Sequence, residues 1–309
     1  MSNPLNIFYH SLGAVVLIIF LGFILGKRKI INEAANKVMA NLLLTVAMPC
    51  ALFIAFPNYF DKSSLNIFLQ AVFGAFIVLI LGILASIILF RRKKLDQYYF
   101  QHQFAYIFNN ASFLGYPLTL SVFGAENMII YSGLMLVFNL FLFSYGVWLF
   151  EQKLSLKNIK EIFLNPNIIA VILGLIFFLN SWQTPEYLNK TITFLSSLTT
   201  PMSLLCIGFM LSQVSNWWAV IRKKQLFITC LLQLLLMPTI SYLILIFFRM
   251  ENTIIQMYTM IMALPTATSL AIFAEKYRGN KIEASELVLI STILSVFTLP
   301  IIMSFVFLQ

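Results

Sequence analysis

Ten apolar runs, each close to the length of a bilayer crossing, leave the charged residues of this chain little room except in the gaps between them. The runs cover residues 8–26, 38–56, 65–90, 99–123, 128–150, 167–182, 188–211, 226–248, 254–274 and 287–308. A crossing helix needs about 20 mostly apolar residues, so ten of them take up roughly two-thirds of such a chain. The gaps are therefore short, and no room remains for a second, soluble domain. With 61% hydrophobic and 10% charged residues, against about 25% charged in soluble domains, the chain lacks the charge to cover a water-soluble globule. That excludes a soluble enzyme, a disordered chain and a nucleic-acid binder, despite a net charge of +9.

The basic residues set the direction of threading. Odd-numbered gaps hold Lys27, Arg28, Lys29 and Lys37; Arg91, Arg92, Lys93 and Lys94; Lys153, Lys157 and Lys160; Arg222, Lys223 and Lys224; Lys276, Arg278 and Lys281. Even-numbered gaps hold Lys62, Lys190 and Arg249. Cytoplasmic loops collect Lys and Arg, so seventeen of the twenty basic residues predict odd loops inside and both termini outside. The basic excess then reflects topology and anionic lipid headgroups. Residues 1–9 carry no Lys or Arg, and the first basic cluster follows the apolar run; a cleaved leader has its charge first.

The two halves, 1–150 and 151–309, echo each other. Pro49 and Pro201 lie 152 residues apart; Asn110 lies 61 residues after Pro49, and Pro265 lies 64 after Pro201. Five runs per half is an odd number, so the second half must thread upside down relative to the first. Inverted repeats with a broken helix at the same place in each half mark secondary transporters. Run four is interrupted at Asn109 and Asn110, run nine at Pro265. Asn110 is 13 residues from Gln97, about 20 Å at helical rise, and Pro265 is 11 residues past Ile254. Both breaks thus fall near the midplane. Half-helix N-termini starting near Ala111 and Thr266 offer N–H groups and positive dipole ends. Asn109, Asn110, Pro265, Thr266 and Thr268, with Ser112 and Ser269 in second place, form the expected cradle for a carboxylate.

Absences narrow the chemistry. Asp61, Asp96 and the nine Glu all sit in gaps or at run ends, so no carboxylate relay of the kind found in cation pumps crosses the apolar runs. His10 and His102 lie near run ends and read as interfacial side chains. Cys50, Cys206 and Cys230 are odd in number and sit in apolar sequence, as small core residues do; no metal, cofactor or protease constellation is present. Gly22 and Gly26 form a small-residue face for a neighbouring helix. Trp217 and Trp218, next to Arg222, resemble an interfacial anchor. Glu275 and Lys276 close run nine as a solvated cap.

Three stretches carry a resemblance. Leu164-Asn165-Pro166-Asn167-Ile168-Ile169, the run from Thr199 to Gly208 around Pro201, and Ala263-Leu264-Pro265-Thr266-Ala267-Thr268-Ser269 resemble the auxin efflux carrier family, as does Asn109-Asn110 with Gly115-Tyr116-Pro117. The likeness is greatest to the bacterial members described as malate permeases. It implies an all-α integral membrane fold of ten helices in two inverted five-helix repeats, shared with sodium–bile-acid symporters, with helices four and nine broken and crossed. It also implies a dimerising scaffold of spans 1, 2, 6 and 7 and a moving transport domain of spans 3–5 and 8–10. Asn109 stands where plant members carry proline. The long hydrophilic loop of many plant members is absent, and so is their acidic residue in span two. The expected function is elevator-type transport of a small organic anion across the cytoplasmic membrane, with sodium-coupled symport or ligand binding without flux as the alternatives.

Overall fold

The computed structural model describes residues 4–59, 64–91, 98–153, 156–213, 223–277 and 279–308. The sequence-based readings of Lys62, Arg92, Lys93, Lys94, Trp217, Trp218, Arg222 and Arg278 concern residues outside these. Among the described residues the structure is helical, with one isolated β-bridge. In chain order the helices are α1 (Pro4–Lys27), α2 (Glu33–Phe56), α3 (Ser64–Leu89), α4 (Tyr99–Ile107), α5 (Ala111–Phe123), α6 (Ala125–Glu151), α7 (Leu156–Phe163), α8 (Pro166–Leu179), α9 (Glu186–Ser212), α10 (Lys224–Phe247), α11 (Asn252–Met262), α12 (Ser269–Lys276) and α13 (Lys281–Phe307).

Seven of these are long and apolar enough to cross a bilayer unaided: α1, α2, α3, α6, α9, α10 and α13. The expected spans that are not among these seven are the fourth, the sixth and the ninth. The sixth is the short helix α8, of 14 residues. The fourth and ninth are each split into two helices, at the positions where the sequence carries its polar and proline interruptions.

Prolines also leave a quieter mark. Widened π-type turns occupy Leu43–Ala47, Ala111–Gly115, Leu142–Gly146 and Leu232–Leu236, and three of these four end two residues before a proline: Pro49, Pro117 and Pro238. A proline ring excludes the carbonyl four residues back and offers no N–H. Shifting the preceding turn to a wider ladder relieves the clash without ending the helix.

The chain divides into two compact units, one comprising Met1–Val72, Ser112–Leu136 and Phe163–Ser215, the other Phe73–Ala111, Val137–Ile162 and Asn216–Gln309. In the first unit, α1 lies against the second half of α9. Gly208 permits this: a Cβ there would meet the Ile19 carbonyl and stand 2.7 Å from the Phe23 nitrogen. Gly22 answers it, since its Cβ would stand 2.6 Å from the Leu205 carbonyl oxygen, and Gly26 faces Ser212. The small-residue face expected of Gly22 and Gly26 is thus used within the chain, where close backbone approach strengthens dispersion contacts that lipid cannot replace. Helix α8 lies on the end of α2, with Gly174 against the Phe56 ring.

In the second unit, α13 contacts α10, α11 and α12. Phe104 of α4 lies between Phe108, Phe150 and Phe273 at ring-centroid distances of 4.8, 5.7 and 5.3 Å. Gly146 admits the Phe104 and Phe108 rings. This aromatic cluster fixes α4, and with it the segment that follows.

Candidate functional site: two unwound segments in one buried bridge

Helix α4 stops at Ile107, and Phe108 turns extended with φ −101° and ψ 108°. Asn109 and Asn110 follow before α5 begins at Ala111. Helix α11 stops at Met262, and the chain runs unwound until α12 begins at Ser269. Both stops have local causes. Pro265 has no N–H and pushes Leu264 out of helical geometry, while asparagine side chains compete with the helix for backbone partners.

Backbone that leaves the helix in a water-poor setting must find other partners. The two segments satisfy each other. Asn110 N–H donates to the Pro265 carbonyl at 2.6 Å, and Ala267 N–H donates to the Phe108 carbonyl at 2.9 Å. These bonds flank an antiparallel pairing of Asn109 with Thr266. The bridge is deeply enclosed: Asn109 is 2% exposed, Asn110 4% and Thr266 0%.

Four further residues frame it: Ser291, Ala105, Gln233 and Met262. Thr266 N–H donates to Ser291 Oγ on α13 at 3.0 Å. The Thr266 hydroxyl donates to the Ala105 carbonyl at 3.2 Å, taking up an acceptor near the end of α4. Gln233 of α10 donates from Nε2 to the Leu264 carbonyl at 2.5 Å. Asn109 Nδ2 donates to Met262 Sδ at 3.3 Å. On the acceptor side, Asn109 Oδ1, Gln233 Oε1 and Thr259 Oγ take no hydrogen bond among the described residues.

Five of the seven sequence-selected residues thus lie on these two segments, and a sixth, Ser269, directly at the end of one. Pro265 supplies the accepting carbonyl, Asn109, Asn110 and Thr266 form the buried bridge, and Thr268 is half-buried just before α12. Ser269, also half-buried, opens α12. Ser112, half-buried, belongs to the first compact unit. Ser291 and Gln233 escaped the sequence reading. Gln233 had a usable signal, since a lone amide inside an apolar helix needs a partner just as Asn109 and Asn110 do. Ser291 had none, because serines recur throughout the spans.

The interfacial reading of His102 is corrected. Its side chain is 1% exposed and both ring nitrogens are bonded, whereas His10 is exposed. Position near a helix start suggested water, but α10 and α13 cover that end of α4.

Among the described residues no Asp, Glu, Lys or Arg is buried, and no cluster of three metal-ligating side chains occurs. The bridge therefore offers amides, hydroxyls, carbonyls and helix ends. It can bind a solute by hydrogen bonding and partial charges, and it lacks a nucleophile–base pair.

A helical chain with crossing-length apolar helices, and two further spans broken at a common buried bridge, is that of a multi-pass membrane transport protein. The family model described as "Membrane transport protein" matches residues 7–162 and 152–303, and the chain belongs to that family, which is that of the auxin efflux carriers. Among its relatives, an uncharacterised transporter of Methanothermobacter thermautotrophicus is 26% identical over 301 residues, 93% of this chain and 95% of the relative. The uncharacterised transporter MJ1031 of Methanocaldococcus jannaschii is 26% identical over 223 residues, 68% of this chain and 72% of the relative. Auxin efflux carrier component 8 of Arabidopsis thaliana is 28% identical over 130 residues, 41% of this chain and 35% of the plant protein.

Proposed function

We propose that the protein is a secondary carrier for a small organic anion, a carboxylate such as malate, in the cytoplasmic membrane. The observation that carries this reading is the buried bridge between residues 108–110 and 265–267. It gathers amide and hydroxyl groups and the ends of broken helices where no fixed charge is buried. Broken helices of this kind hold substrate in secondary transporters. Asn110 hydrogen-bonds the substrate beside Asn109, Pro265 holds the break open, and Thr266 and Thr268 line it, with Ser112 and Ser269 as second choices.

In this reading the chain threads ten times as two inverted five-helix repeats, 1–150 and 151–309, with both termini outside. Spans 1, 2, 6 and 7 form a scaffold that pairs with a second copy, and spans 3–5 and 8–10 move as an elevator. Spans 1, 2, 6 and 7 fall in one compact unit and spans 8–10 in the other, while spans 3, 4 and 5 are each divided between the two units. Counterflow in proteoliposomes tests it: labelled dicarboxylate must accumulate against an unlabelled internal pool. Absence of exchange across dicarboxylates, keto acids and indole acids that raise the thermal stability of the purified protein identifies a receptor instead.

One observation favours a second reading, sodium-coupled symport. Asn109 and Gln233 both bond the segment around Leu264, their Oδ1 and Oε1 accept no hydrogen bond among the described residues, and oxygen is the ligand of hard cations. Sodium-dependent flux in the same vesicles selects it over uniport.

A further inference from the structure

Two side-chain amides meet the unwound segment between α11 and α12, and each uses only one of its ends. Asn109 donates from Nδ2 to Met262 Sδ at 3.3 Å, and Gln233 donates from Nε2 to the Leu264 carbonyl at 2.5 Å. Asn109 is 2% exposed and Gln233 0%. All four residues belong to the second compact unit.

The partners fix which way each amide points. Its oxygen and nitrogen ends are nearly alike in shape, so the groups they face decide between them. A carbonyl only accepts hydrogen bonds, and a thioether accepts weakly and never donates. Both amides must therefore turn their NH2 groups to this segment, and neither can flip to bring its oxygen there. Asn109 Oδ1 and Gln233 Oε1 then accept no hydrogen bond among the described residues. A buried acceptor in that state carries its full desolvation penalty.

The donors of the bridge itself are committed. Asn110 N–H serves the Pro265 carbonyl and Ala267 N–H the Phe108 carbonyl. Thr266 N–H serves Ser291 Oγ, and the Thr266 hydroxyl serves the Ala105 carbonyl. The Ser291 hydroxyl serves the Val288 carbonyl of its own helix. Two acceptor oxygens at the break thus call for hydrogen from outside the chain. A carboxylate brings none.

We propose, resting on the carrier reading above, that Asn109 Oδ1 and Gln233 Oε1 accept a hydroxyl or amino hydrogen of the solute, so that the protein selects carboxylates bearing such a substituent over unsubstituted ones. Anion binding stays with Asn110 and the helix ends, and the two amide oxygens read the substituent. Both oxygens are closed to solvent in this structure, so a solute meets them only after the segment around Leu264 moves. Enclosure makes the discrimination steep. A solute without the hydrogen leaves the oxygens unpaired where water cannot replace it.

Succinate, malate and aspartate share a four-carbon dicarboxylate skeleton and carry hydrogen, hydroxyl or ammonium on the second carbon. Counterflow of each, in proteoliposomes of the full-length protein in sodium-free buffer, gives its half-saturating concentration. Malate, aspartate or both must half-saturate about tenfold or more below succinate, and the better of the two tells O–H from N–H. Gln233→Met keeps the length of the side chain and removes its oxygen, so it must shrink that ratio about fivefold or more. The ratio is taken within one preparation and does not depend on how much of the variant folds. Where the variant carries no flux, the same ratio is read from thermal stabilisation of the purified protein. Equal half-saturation by all three solutes overturns the proposal and leaves the carrier reading standing, and a ratio unchanged in Gln233→Met overturns it too. Added sodium that raises the exchange of all three alike, with no preference among them, assigns the oxygens to a cation instead. Exchange of none of the three removes the dicarboxylate carrier itself, and the proposal with it.

Discussion

Ser291→Ala removes one oxygen atom, and its effect can be worked out from the bonds it breaks. Ser291 is fully buried and its hydroxyl does two things. It donates to the Val288 carbonyl of its own helix at 2.9 Å, and it accepts from Thr266 N–H at 3.0 Å. The Val288 carbonyl keeps the Thr292 hydroxyl at 2.7 Å, so it loses little. Thr266 N–H loses its partner at a residue with no exposed surface. A buried donor left unsatisfied costs about 1–3 kcal/mol, roughly a five- to 150-fold change in an opening equilibrium. Hydrogen exchange of the Thr266 amide should accelerate by that factor, and the apparent melting temperature should fall. Ser295→Ala is the control, because its hydroxyl serves only the Thr292 carbonyl of the same helix among the bonds described, at 2.8 Å. Equal, small effects of the two substitutions would show that Ser291 does not anchor the bridge, and the frame drawn around Thr266 would be wrong.

Asn110→Ala should abolish or strongly weaken transport with membrane expression intact, while Asn139→Ala, at another buried amide, should matter less; normal flux through Asn110→Ala assigns that residue to packing. Gly208→Ala should destabilise the protein by about 1–3 kcal/mol, because the new Cβ meets backbone atoms of α1 that cannot rotate away. Gly13→Ala, with nothing within 4 Å, should leave the thermal transition unchanged. Single cysteines at Ser2 and Lys93 in a cysteine-free background should label from opposite sides with an impermeant reagent, and same-side labelling would reject the ten-span threading.

Where the helices run and where they stop was legible in the sequence because both properties are local. A run of apolar residues forms a helix in lipid whatever lies beside it, and Pro265 or the Asn109-Asn110 pair interrupts one through its own backbone and side-chain chemistry. Pro49, Pro117 and Pro238 illustrate the limit of that reading. Each perturbs its helix, yet the perturbation is taken up as a widened turn and the helix continues. What the polar side chains do was decided by tertiary structure alone. Thr266 and Ser291 are 25 residues apart, Leu264 and Gln233 31, and His102 and Glu283 181. A glutamine or histidine in an apolar run announces that it needs a partner, but it carries no information about which helix supplies one, and a serine can satisfy itself on its own helix. That depends on how helices separated in the chain come to lie side by side. The same holds for Gly22 and Gly26, whose spacing predicts a close helix neighbour, while only packing identifies it as the segment around Leu205 and Ser212 of this same chain.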